Sequence, residues 1–184
     1  MKTDKLDKFL FQAMDAYPSY LEETVESLGY ALSYDEKNTM ALCLFGRLYA
    51  EQLYDYESAK MYFEQALSEN INALEVYPYF IDTLLINEDY GQAGKLIDFA
   101  LTIKGCNKAE ILLKKVMFLE RKRDFKQAKA VLKEVKLHSY NSDLHYFISD
   151  TEKRIKEKME LTGLKKDKEK AKGKKKTKSK KKNK

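Results

Sequence analysis

A repeat constrains this chain more than any other feature. Residues 55–67, 89–101 and 124–136 share one pattern: Asp, aromatic, two residues, Ala, three residues, a bulky apolar side chain, two residues, then a small or β-branched one. The alanines are Ala59, Ala93 and Ala128, spaced by 34 and 35 residues. A fainter copy over 21–32 has Thr24 in the alanine place, followed by Leu28 and Ala31. A period of this length marks stacked supersecondary units, because one unit cannot bury its own apolar face.

Each copy follows a second amphipathic stretch, over 39–53, 73–86 and 108–122. Apolar residues recur there at three and four, as with Leu42, Phe45, Gly46 and Tyr49, so these stretches read as helices. Short polar breaks separate them, giving helical hairpins. Two Pro and seven Gly in 184 residues leave little turn material for a many-stranded β fold. Phe9, Leu10, Ala13 and Met14 form an initial helix that pairs with the faint copy. The stretch 142–161 grows steadily more polar, as a solvated capping helix should.

At these residues the chain resembles the tetratricopeptide repeat family. That family's motif asks for W-x-x-L-G-x-x-Y in the first helix of a hairpin and A-x-x-x-F in the second. Leu42, Phe45, Gly46 and Tyr49 answer the first half, and Ala59 with Phe63 the second. Later copies are looser: Val76, Tyr79, Phe80 and Thr83, then Ile111, Lys114, Lys115 and Phe118, with Ala93–Ile97 and Ala128–Leu132 keeping the second half. The turn within each hairpin is one residue longer than the family norm, and the closing proline is missing. The resemblance covers about 18–136. It implies an all-α, right-handed α-solenoid of antiparallel hairpins over 1–164, closed by the capping helix.

Family members generally act as binding scaffolds, with first helices lining a groove that holds a protein or peptide. The resemblance assigns Met40, Cys43, Arg47, Ala50 and Glu51 to that groove in the first clear unit. The next unit contributes Leu74, Tyr77, Ile81, Leu84 and Leu85, and the third Leu112, Val116, Leu119 and Glu120. The other reading of these residues is core, or a surface covered by the terminal helix. Some family members clamp a terminal carboxylate with groove Lys, Asn and Arg. Here Cys43, Arg47, Pro78, Ala109 and Leu113 stand in those places, so carboxylate-tail recognition is not supported.

Catalytic patterns are missing from the sequence: no G-x-x-x-x-G-K-[ST], no G-x-S-x-G and no H-E-x-x-H. Carboxylates such as Glu22, Glu23, Glu26, Asp82, Glu88 and Asp89 read as solvated faces and caps. Cys43 and Cys106 are far apart with no CxxC, and His138 and His145 read as surface or junction residues. The sequence therefore predicts a non-enzymatic chain with no metal and no cofactor. No apolar run approaches the roughly 18 residues of a membrane span. Residues 1–18 contain no uninterrupted signal core, so the chain reads as cytoplasmic.

Charge is unevenly spread. Residues 165–184 hold 13 Lys against Asp167 and Glu169, a net of +11, whereas 1–164 holds 22 basic and 27 acidic groups, a net of −5. With no aromatic and one apolar residue, Ala171, the tail is expected to be disordered. It admits three readings. Lys174, Lys175, Lys176, Lys178, Lys180, Lys181 and Lys182 form either a sequence-blind RNA, DNA or ribosome contact, or an import or anionic-lipid patch, or a solubilising tail that touches the acidic body.

Overall fold

Aligned positions of the second helices take the same environment in every copy. Thr24, Ala59, Ala93 and Ala128 are all 0% exposed. Leu28, Phe63, Ile97 and Leu132 are buried, and so are Ala31, Ala66, Ala100 and Val135. Small residues at the first of these positions let helices approach closely. In the faint copy Thr24 replaces alanine without leaving an orphan, because its Oγ1 donates to the Tyr20 carbonyl at 2.8 Å.

The computed structural model describes residues 3–139 and 144–163. Among them the elements are α1 (Thr3–Ala16), α2 (Leu21–Tyr34), α3 (Thr39–Glu51), α4 (Tyr56–Glu69), α5 (Val76–Ile86), α6 (Tyr90–Ala100), α7 (Lys108–Arg121), α8 (Phe125–His138) and α9 (His145–Leu161). Tyr56, Tyr90 and Phe125 open α4, α6 and α8, and His138 and His145 stand exposed at the facing ends of α8 and α9. The expected basic tail, 165–184, lies outside the described residues, as do 142 and 143 at the start of the expected capping helix.

The turns inside the hairpins share one device. Tyr54, Glu88 and Arg123 hold positive φ of 55°, 62° and 60°, each just before the aspartate of its copy. Asp89 N–H donates to the Leu84 carbonyl at 2.9 Å, and Asp124 N–H to that of Leu119 at 2.8 Å. These six-to-one bonds close a helix end through a left-handed residue. The following helix then starts on the aspartate. Asp55 accepts from Ser58 N–H and Asp124 from Gln127 N–H, both at 3.1 Å. Asp89 instead takes Lys60 Nζ and Asn87 Nδ2. The repeated aspartate thus caps its helix through the side chain in the first and third copies, and in the second it serves an ion pair.

The chain divides into two compact units, Met1–Lys114 and Lys115–Lys184, with the division inside α7. In the first unit α1 packs on α2, α3 on α4 and α5 on α6, and successive hairpins meet through α2·α3 and α4·α5. First helices also touch each other, α1 with α3 and α3 with α5. Helix α4 is tied to the α5–α6 turn by Lys60–Asp89 at 2.8 Å and Asn87–Glu57 at 3.1 Å, and to α6 by Gln92–Glu64 at 2.9 Å. The first helices α1, α3 and α5 thus form a row within the first unit.

Within the α3–α4 hairpin Gly46 faces the ring of Phe63. A Cβ at Gly46 would lie 2.6 Å from a Phe63 ring carbon, inside any normal contact. The ring of Phe63 stacks in turn on Phe80 of α5, centroids 5.5 Å apart. Phe9 of α1 lies against Tyr30 and Tyr34 of α2 at 5.1 and 6.0 Å, as expected for an initial helix paired with the faint copy.

In the second unit α9 packs on α8. Its Ile148, Thr151, Ile155 and Met159 are buried at intervals of three and four. The residues between them are polar and exposed or, at Arg154 and Lys158, half-buried, so α9 is amphipathic.

Candidate partner-binding face

The first-helix row of the first unit presents a face built around Arg47. Its guanidinium lies 4.2 Å from the centroid of the Tyr79 ring and 4.8 Å from that of Tyr17. Planar guanidinium suits such stacking, and both contacts are attractive. Glu51, one turn along α3, takes the remaining edge: Nε to Oε1 at 3.1 Å and Nη2 to Oε2 at 3.4 Å. Tyr17 Oη donates to Glu51 Oε2 at 2.5 Å. Burial first, and then the Glu51 carboxylate, push the Tyr17 hydroxyl up to about 12. Arg47 therefore links the α1–α2 turn, α3 and α5, with its charge balanced by Glu51.

Beside this stack lies a pocket of about 140 Å³ lined by Met14, Met40, Cys43, Leu44, Arg47, Glu75 and Tyr79. Met14 and Met40 are 43% and 44% exposed and form its lips. Cys43 is buried at its floor, with Sγ 3.9 Å from the Glu75 carbonyl oxygen. Burial above all, and then the Glu75 charge, push that thiol up to about 12, so it is a neutral wall. A second hollow of about 310 Å³ adjoins it across Glu75 and Tyr79, and Leu74, Pro78, Cys106, Glu110 and Ile111 also line it.

Of the groove residues predicted in the first clear unit, Met40, Cys43 and Arg47 come together at this pocket and Glu51 completes the Arg47 site. Ala50 is buried. In the second unit of the repeat the register moves. Tyr77, Ile81, Leu84 and Leu85 have at most 1% exposure and belong to the packing. Leu74 lies in the turn ahead of α5, at the second hollow. The surface those positions were expected to supply comes instead from Glu75, Pro78 and Tyr79. The cause is α5 itself, apolar on nearly every face, so that spacing alone does not mark its exposed strip.

The third set is also covered. Leu112, Val116, Leu119 and Glu120 are all buried. Glu120 is held by α9: Arg154 Nε and Nη2 donate at 2.8 and 3.0 Å, and Lys158 Nζ at 2.7 Å. Burial would raise the Glu120 carboxyl, but the hydrogen bonds from Arg154 and Lys158 outweigh it and leave the group below its ordinary value. At Glu120 the terminal helix occupies the predicted surface. Nearer the start of α7, Lys114 pairs with Asp82 of α5.

Tyr17 and Tyr79 were not among the expected site residues. Tyr17 lies in a turn outside the repeat, and Tyr79 occupies a position the family motif gives to packing. Nothing in their spacing announces a stack on Arg47.

The chain matches no family model, no curated protein and no solved structure. Its site must be read from its own residues. Among the described residues no group of three or more His, Cys, Asp or Glu is placed to hold a metal ion, and no helix is long and apolar enough to cross a membrane.

Proposed function

We propose that this chain is a non-enzymatic adaptor of the tetratricopeptide repeat type, its hairpins stacked as a right-handed α-solenoid. The row of first helices binds a segment of a protein partner around Arg47. One observation carries the reading. The four repeat copies bury the same positions of their second helices, while the first-helix row keeps an apolar pocket open. A repeat scaffold needs that division between a uniform packing face and a face left for a partner.

The Lys-rich segment 165–184 adds electrostatic attachment. Its charge also supports a second reading, a nucleic-acid- or ribosome-associated factor in which these lysines displace condensed counterions and carry most of the affinity. Salt separates the two. Apolar burial survives high salt, and phosphate contacts weaken steeply.

The test is capture of partners by the full chain, by residues 1–164 and by the full chain with Met40→Asp, each nuclease-treated and washed at high salt. The adaptor reading expects a discrete protein retained by the first two and lost by the third. Partners seen only with the full chain, and lost to nuclease or salt, would move the function to the tail.

A further inference from the structure

The pocket beside Arg47 has apolar walls and one carboxylate that meets no counterion among the described residues. Arg47 is neutralised by Glu51, and Lys114 by Asp82. Glu75, by contrast, forms no ion pair among the described residues; its carboxylate accepts a long hydrogen bond from Thr39 Oγ1, at 3.4 Å. It is exposed, and it borders both the pocket and the adjoining hollow. Its field reaches the pocket floor, where it adds to the rise of the Cys43 thiol. Glu110 also lines the second hollow. The pocket itself therefore carries net negative charge at Glu75 and offers methionine, leucine and tyrosine surface around it.

We propose that this pocket is a subsite for a partner segment carrying an aliphatic side chain next to a lysine or arginine. The aliphatic group enters between Met14, Met40 and Tyr79, and the cation meets Glu75. Methionine walls adapt to differently shaped aliphatic chains, which suits a pocket with open lips. Charge complementarity selects the occupant: a segment with Asp or Glu in place of the cation would face Glu75 with like charge and bind more weakly. The inference rests on the adaptor reading and adds the chemistry of what is bound.

Three fluorescein-labelled ten-residue peptides test it against the full chain by anisotropy at physiological salt: alternating Leu–Lys, alternating Leu–Glu and alternating Ser–Lys. The Leu–Lys peptide should bind at least tenfold more tightly than the other two. Glu75→Lys should weaken it tenfold or more and should raise affinity for Leu–Glu. Glu134→Lys, with the same change of net charge at an exposed position of α8, should leave the Leu–Lys affinity within about twofold. Thermal melts of both variants identify any loss of fold, and the reversed preference of Glu75→Lys cannot come from unfolding. Equal binding of Leu–Lys and Leu–Glu would overturn the proposal. So would equal weakening by Glu75→Lys and Glu134→Lys, which would make the attraction one of net charge. If these outcomes occur while Met40→Asp still releases a captured partner, the subsite chemistry falls and the adaptor reading stands.

Discussion

Gly46 sits where a methyl group would press into the Phe63 ring. Alanine there would gain about 1 kcal/mol of helix propensity, but forcing the ring aside costs about 1–3 kcal/mol in a packed core. Gly46→Ala should therefore lower stability in urea unfolding by about 1 kcal/mol net, and Phe63→Leu in the same chain should make the alanine better tolerated than in the parent. Glu88 poses the opposite case. It holds φ of 62° with a β-carbon, a conformation that costs about 1–2 kcal/mol for an L-residue. Glu88→Gly should stabilise by about 0.5–1 kcal/mol, since glycine's larger unfolded-state entropy offsets part of the gain. The two residues differ in legibility. Gly46 could be found because its place in the repeat demands close approach. The left-handed turns were hidden, because Tyr54, Glu88 and Arg123 replace the glycine that normally announces them. The repeat register places Arg47 on the outer side of α3, but its Tyr17 and Tyr79 partners come from two other elements.

The buried carboxylate of Glu120 holds Arg154 and Lys158 on the polar face of α9. Glu120→Gln keeps the shape but loses the charge that Arg154 and Lys158 address, at about 2 kcal/mol for charge-assisted hydrogen bonds. Hydrogen exchange should show α9 losing protection while α4 and α6 keep theirs; uniform loss across all three would contradict a local role. The pH dependence has a definite sign. The folded Glu120 carboxyl lies below its ordinary value, so its stabilising contribution is complete above the ordinary glutamate range of about 4.3 and is lost as pH falls through the lower folded value. Acidification should loosen α9, and Glu120→Gln should flatten that part of the profile. At this scale the second helices were almost fully legible, since a strict small–large–small pattern has only one way to face inward. The first helices were less so. In α3 polar Arg47 and Glu51 mark the outer strip, whereas α5 offers Asp82 alone, and the exposed side was placed on Tyr77 and Ile81 although these are core.

At the scale of the whole chain, charge and packing point to separate roles. The chain truncated at 164 should lose salt-sensitive RNA or DNA binding if the lysines of 165–184 supply it, with affinity for duplex DNA falling steeply between 50 and 200 mM salt in the full chain. Unchanged nucleic-acid affinity after truncation would remove that role from the tail. Fold class was legible from the repeat, because a 34–35 residue period with two amphipathic stretches leaves few alternatives to paired helices. The candidate face was only partly legible, because it depends on which residues successive first helices leave uncovered, and at Glu120 α9 covers the expected surface.

The most direct test of the account is hydrogen exchange of the full chain with and without a partner that survives nuclease and high salt. Protection should grow in α3 and around Glu75–Tyr79, with α4 and α6 unchanged on their outer faces. Protection confined to α4 and α6, or to 165–184 with none in α3, would contradict it.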